Sequence, residues 1–185
     1  MFHVKHKNTH TMTQEQFKQL IRNVPDFPKQ GIQFKDITTA LKDPACLRWI
    51  RDEVADLYRD KGITQVVGLE SRGFIIGPAV AMELGAGFVL ARKPGKLPAD
   101  VISATYNKEY GTDTIQLHRD ALKENDIVLI HDDLLATGGS VQGAIQLVKK
   151  AGVKKIYVNF LIELDGLDGR KAIDKDIEVT SLIRL

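Results

Sequence analysis

The chain has 185 residues, 43% of them hydrophobic and 27% charged, with a formal net charge of +2 at pH 7. That is apolar material enough for the core of one ordinary domain, and a charge so near balance gives no reason to expect a nucleic-acid partner. No apolar run approaches the ~18 residues of a membrane span, no apolar signal core opens the chain, and the single Cys46 cannot close an internal disulfide, so a cytoplasmic protein with a buried structural thiol is expected.

Residues 1–11 carry His3, His6 and His10 beside Lys5 and Lys7. Nothing fixes the geometry of the three imidazoles. A loose disordered tail, or an upstream start before Met12, is expected rather than a metal site. Thr13 and Gln16 read as a capping box, and Phe17, Leu20 and Ile21 as the apolar stripe of a helix that Pro25 and Pro28 end. Residues 25–39 read as loop, with aromatics at Phe27 and Phe34. Asp43–Pro44 opens a second helix, on which Leu47, Ile50, Val54 and Leu57 fall at helical spacing and which Gly62 stops.

From there strands and helices alternate. Residues 65–69 read as a strand, 73–84 as a helix and 88–91 as a strand; 102–106 and 114–118 read as paired strands. Residues 127–130 form a short apolar strand, Val141 to Val148 a helix ending near Gly152, and 156–161 and 177–183 two further strands. Apolar strands alternating with amphipathic helices imply an α/β fold, with a mainly parallel twisted sheet flanked by helices. Ligands in such sheets bind beyond the carboxyl ends of the strands. No repeat or linker divides the chain, so one domain of 1–185 is expected, with a small N-terminal hood over 13–40.

One strand-to-helix loop carries legible chemistry. It runs Val128-Leu129-Ile130-His131-Asp132-Asp133-Leu134-Leu135-Ala136-Thr137-Gly138-Gly139-Ser140. Glycines flanked by hydroxyls let backbone amides close round a phosphate, and the following helix adds its dipole. Asp132 and Asp133 would repel that phosphate unless a sugar lies between, since carboxylates accept from vicinal hydroxyls. A ribose 5-phosphate fits the segment from end to end. The plainer alternative is a capped helix with solvated aspartates. His131 reads as a packed structural histidine rather than a catalytic one.

Two acids, a few spacers and Thr-Gly-Gly-Ser after an apolar strand resemble the PRPP-binding motif of the type I phosphoribosyltransferases. Three more segments resemble the adenine branch of that family, in the family's order: Gly68-Leu69-Glu70-Ser71-Arg72-Gly73-Phe74, the basic run from Ala91 to Pro98, and Phe27 to Thr38. The resemblance runs from about residue 14 to the C-terminus. It implies transfer of the 5-phosphoribosyl group from PRPP to adenine, giving AMP and pyrophosphate in purine salvage. It implies that Asp132, Asp133, Leu134, Ala136, Thr137, Gly138, Gly139 and Ser140 hold the ribose 5-phosphate. Arg72 and Ser71 would meet the pyrophosphate, with a non-proline cis peptide at Glu70–Ser71. Arg92, Lys93 and Lys96 would sit in a lid over the same group. Read without the family, Glu70 and Arg72 could be a surface ion pair, and the lid a solvated basic loop.

In the same resemblance, Ala104 to Gly111 brings Glu109 to the imidazole side of the base, where it helps place a proton at N7, with Tyr110 beside the substrate. Glu109 could instead pair with a nearby lysine. Phe34 would stack on the purine, and the main chain at Gln33 and Lys35 would read its edge; alone, Phe34 could equally be core. The family implies magnesium brought by PRPP rather than a protein metal site, and a homodimer. Enzymes for hypoxanthine, guanine or xanthine tend to carry a base-reading lysine after a late strand, and residues 159–163 have none. A PRPP-sensing regulator would keep the PRPP loop and lose the lid chemistry or add a DNA-binding domain. No Gly-x-Gly-x-x-Gly or P-loop lysine supports an unrelated nucleotide-binding fold.

Overall fold

The computed structural model describes residues 12–107 and 111–185. The histidine tail, and the expectations placed on Glu109 and Tyr110, lie outside them. Two compact units meet in the sequence at Ile50 and Arg51, within one helix.

In the first unit α1 (Gln14–Leu20) starts at the expected capping box. Thr13 Oγ1 accepts the Gln16 amide at 3.2 Å, and Gln16 Oε1 accepts the Thr13 amide at 2.8 Å. Phe17 is buried, its ring 5.4 Å from that of Trp49. The stretch expected to be loop is partly ordered. Strand β1 (Arg22–Pro25) pairs antiparallel with β2 (Gln33–Asp36), and a short helix, α2 (Thr38–Leu41), follows. Four-residue strands are too short to show alternation, and Pro25 sits at a strand end, where its missing donor costs little. The Phe27–Pro28 bond is cis. Helix α3 (Pro44–Tyr58) starts as expected, with Asp43 Oδ1 accepting the Ala45 amide at 2.7 Å. It ends at Tyr58, and Gly62, at φ 67°, closes the turn that follows. Cys46 is fully buried, and burial, with the charge of Asp43 nearby, pushes its thiol up to about 11.

The second unit holds β3 (Gln65–Leu69), α4 (Gly73–Leu84), β4 (Gly87–Ala91), β5 (Val101–Asn107), β6 (Thr112–His118), β7 (Ile127–Leu135), α5 (Gly139–Lys150), β8 (Lys155–Glu163), a 3-10 turn at Gly169–Ala172 and β9 (Glu178–Arg184). Five strands form the expected parallel sheet in the order β4-β3-β7-β8-β9. β5 and β6 form a separate antiparallel hairpin. One face of the sheet, with Val67, Ile130 and Val158, packs on Val141, Ala144 and Val148 of α5 and on Ile102, Ile115 and Leu117 of the hairpin. The buried residues of α4, Ile76, Val80 and Ala81, lie outside that cluster and belong to the other face. Among the described residues no helix is long and apolar enough to cross a membrane.

That second face carries a polar chain across three strands. The Tyr58 hydroxyl donates to the Val158 carbonyl at 3.1 Å, so the Thr180 hydroxyl, 2.6 Å away, donates to Tyr58. Asn159 Nδ2 donates to Thr180 Oγ1 at 2.9 Å, and Asn159 Oδ1 faces His131 Nδ1 at 2.9 Å. His131 is a structural histidine, and burial pushes its pKa down to about 4, so it is neutral near pH 7. Its Nε2 is buried without a hydrogen-bond partner among the described residues. Replacing Thr180 with Val keeps the shape and strips Asn159 Nδ2 of its acceptor. Thr180→Val is expected to cost about 1–3 kcal/mol, read as a lower urea midpoint at an unchanged slope; an unchanged midpoint would show that the chain carries no net stability.

Candidate active site

In the sheet β3 and β7 are neighbours, yet their connections part: β3 leads through α4 to β4 on one side, β7 through α5 to β8 on the other. The two helices take opposite faces. The crevice beyond the carboxyl ends of β3 and β7 is therefore the switch point where ligands of such sheets bind. Two loops meet there, residues 70–72 and 136–138.

Strand β7 is longer than its apolar run implies. Its ladder to β8 continues to Leu134↔Ile162 and Leu135↔Glu163. Asp132, Asp133 and Leu134 thus stand on the strand, where backbone pairing outweighs the polar side chains. Asp133 is buried and Asp132 half-buried. Burial raises both carboxyls above the ordinary aspartate range; the Asp133 charge adds to this at Asp132, while Arg72 opposes it at Asp133. Arg72 Nε lies 3.1 Å from Asp133 Oδ2, an ion pair without hydrogen-bond alignment. Beyond Ala136 and Thr137, Gly138 precedes α5 at φ 84°, a left-handed conformation that suits glycine. Among the described residues no side chain caps this end, so the first-turn amides of Gly139 and Ser140 point out of the helix. Ser140 Oγ lies 3.5 Å from the Tyr106 hydroxyl.

The loop after β3 has the expected cis peptide at Glu70–Ser71, with Ser71 exposed. Glu70 is no surface residue. Its side chain is 8% exposed and gathers four donors: Lys96 Nζ at 2.6 Å, the Lys93 amide at 2.9 Å, and Arg92 through NH2 at 3.2 Å and Nε at 3.3 Å. Arg92 is anchored in turn, its amide and carbonyl exchanging hydrogen bonds with Gln116 at 2.9 and 2.7 Å. Arg92 NH1 donates to the Lys96 carbonyl at 3.3 Å, closing the turn between them. Lys93 Nζ sits 3.2 Å from Asp113. The basic segment is thus folded back on the sheet. The signal for Glu70 in the sequence was faint: one acid, 22 to 26 residues from the cations it holds.

The hood residues belong to the first unit. Asn23 ties down two of them: its Nδ2 donates to Gln33 Oε1 at 2.6 Å, and Lys35 Nζ donates to its Oδ1 at 3.1 Å. Alternation puts Phe34 on the opposite side of β2, where its ring meets Phe27 edge-on at 5.2 Å. Among the described residues the outer edge of β2 pairs with no further strand. Arg22 and the Thr38 hydroxyl and amide bring Asp36, the last residue of β2, down to about 2.

Glu70 also sets a pH dependence. Burial alone would raise its carboxyl; hydrogen bonds from Lys96, the Lys93 amide and Arg92 outweigh burial and bring it from 4.5 to about 2. A depressed carboxyl stabilises the fold fully above pH 4.5 and loses that contribution as pH falls towards 2. Glu70→Gln is expected to cost about 2 kcal/mol at neutral pH, after allowing for solvent-exposed partners. It should also flatten the acid limb of a plot of melting temperature against pH. A variant whose acid limb parallels the wild type would remove Glu70 as its source.

Comparison with known proteins agrees with this geometry. Residues 38–184 match the phosphoribosyl transferase domain family. The chain is 60% identical, over 94% of its length and all of the relative's, to an adenine phosphoribosyltransferase of Phocaeicola vulgatus. It is 57% identical to the enzyme of that name from Bacteroides thetaiotaomicron, across 94% of this chain and 99% of the relative. Among solved structures, adenine phosphoribosyltransferase of Thermoanaerobacter pseudethanolicus superposes with a TM-score of 0.90 at 44% identity, covering 94% of this chain and all of that one. The Giardia lamblia enzyme, solved with 9-deazaadenine, gives 0.90 at 48% identity over 95% and 99% of the two chains. The chain belongs to the adenine phosphoribosyltransferases, a branch of the phosphoribosyl transferase family.

Proposed function

We propose that the protein transfers the 5-phosphoribosyl group of PRPP to adenine, leaving AMP and pyrophosphate, with the β3 and β7 loops as its PRPP cradle. The observation that carries this is residues 132–140: two carboxylates at the end of a buried strand, followed by a helix N-terminus that no side chain caps among the described residues. Laid along the segment, a ribose would offer its hydroxyls to Asp132 and Asp133. Its phosphate would reach Thr137 to Ser140, where Leu134 and Ala136 contribute main chain. The ribose hydroxyls, and the positive charge that develops on the sugar as pyrophosphate leaves, favour the ionised aspartates that burial disfavours. Arg72, Arg92, Lys93 and Lys96, with Ser71, neutralise and hold the departing pyrophosphate. Phe34 stacks on the base while the main chain of Gln33 and Lys35 reads its edge; the tether of both side chains to Asn23 supports that role. Glu109 guides a proton at N7, with Tyr110 beside it.

Magnesium enters with PRPP in this reading. Among the described residues no group of three or more His, Cys, Asp or Glu could hold a metal. Asp132 and Asp133 suit a cation already held by substrate oxygens, the habit of magnesium at phosphates. When bound it neutralises charge on the pyrophosphate. The lone cysteine suits a reducing cytoplasm.

The second copy of a homodimer is assigned to the outer side of α4. Ile75 and Met82 are exposed there, Met82 by 82%, on a helix whose one charged residue is Glu83, and Leu90 is exposed on the neighbouring edge strand β4. Such a stripe is an association surface. Met82→Glu should shift the sedimenting species from dimer to monomer, and a wild type that sediments as a monomer would remove the assignment.

The activity is tested by offering adenine, hypoxanthine, guanine and xanthine separately, with PRPP and magnesium, and following nucleotide product by chromatography. AMP from adenine alone is expected. Product from another base would overturn the hood assignment, and no product with PRPP still bound would point to a regulator.

A further inference from the structure

We infer that the Arg170–Glu163 ion pair, its carboxylate buried and its guanidinium reaching in from the surface, positions the phosphate loop: it seats the Gly169 backbone beneath residues 136–138 and so shapes the cradle for the 5-phosphate. This rests on the reading of that loop given above. Neither residue belongs to the chemistry assigned so far; both act through the loop.

The contact is backbone on backbone. A Cβ on Gly169 would stand 2.2 Å from the Ala136 carbonyl oxygen, and one on Gly138 would stand 2.5 Å from the Gly169 carbonyl oxygen. The loop and the 3-10 turn therefore press together main chain to main chain, flanked by the Leu135 and Ala172 side chains, and a shift in one is transmitted to the other. On its C-terminal side the turn is held by Ile173, buried in the core. It follows an exposed bend containing Leu167 and Asp168, the latter at φ 53°. Arg170 supplies the polar anchor. Its Nε and NH2 fork onto Glu163 Oε1 and Oε2 at 2.8 and 2.7 Å, and NH1 donates to the Val179 carbonyl at 3.0 Å. Ser181 Oγ donates to Glu163 Oε2 at 2.9 Å. Glu163 is 5% exposed and closes the ladder opposite Leu135, one residue before Ala136.

An ion pair with one exposed partner stabilises a fold little, but a two-point fork fixes direction and distance. Here it fixes them from the last residue of β8 to the underside of the loop that leaves β7. Glu163 stands on β8, and Arg170 reaches from the turn to the Val179 carbonyl of the adjacent β9.

The test uses the full-length protein and two probes measured by calorimetry, ribose 5-phosphate and pyrophosphate. Arg170→Lys keeps the charge and loses the fork. It should weaken ribose 5-phosphate about tenfold, raise the KM for PRPP in step, and leave pyrophosphate affinity and kcat at saturating PRPP within about twofold. Gly169→Ala forces the Ala136 carbonyl to move and should weaken ribose 5-phosphate about a hundredfold. A general loosening would weaken both probes alike. That result, or unchanged ribose 5-phosphate affinity in a folded Arg170→Lys protein, overturns the inference. Should Arg170→Lys not fold, Ser181→Ala removes one donor to Glu163 and should give the same selective loss at about threefold; an unchanged ratio of the two affinities overturns the inference there too. Wild-type protein that binds no ribose 5-phosphate overturns the functional reading, and this inference with it.

Discussion

The parallel pairing of β3 with β7 is the constraint on which the site depends. Four partners hold it, from Gln65↔Val128 to Gly68↔His131. Because side chains alternate along a strand, a slip of β7 by one residue would turn Ile130 away from α5 and put His131 in its place among the apolar side chains of that face. The same register brings the end of β3 beside the end of β7, so Arg72 reaches Asp133. The apolar core and the polar crevice are thus two outcomes of one ladder, and neither can be adjusted without the other.

Three carboxylates in this crevice show how surroundings decide charge. Glu70 is nearly buried yet depressed, because four donors converge on it. Asp132 and Asp133 are raised, because they share a buried strand end with each other and with a single guanidinium. The first arrangement is complete within the protein. The second favours partners that bring hydroxyls or positive charge, which is what a ribose and its reaction supply.

The elements that could be read from the sequence were those with a period or a strong stop signal. The capping box at Thr13, the strand at residues 65–69 and the helix at 73–84 fall where their patterns put them. The β7 segment was cut short because His131, Asp132 and Asp133 break the apolar run, while the ladder to β8 holds regardless. The hood strands were hidden by their length. The motif residues around Gly138 could be found because the chemistry of phosphate binding is local. Glu70, Arg170 and Glu163 could not, since their partners come from loops and strands distant along the chain and only the folded sheet brings them together. Gly169 is the sharpest case: its role shows only when its neighbour across space, Ala136, is known.

Cys46 has a practical consequence. It is the one thiol of the chain, fully buried in the first unit, and its pKa of about 11 leaves scarcely any thiolate at neutral pH. A thiol reagent in solution therefore meets no nucleophile until that unit opens. The rate at which native protein takes up one label is a clock for that opening, built into the molecule without any mutation. Read with and without adenine present, the clock would report whether a base steadies the hood.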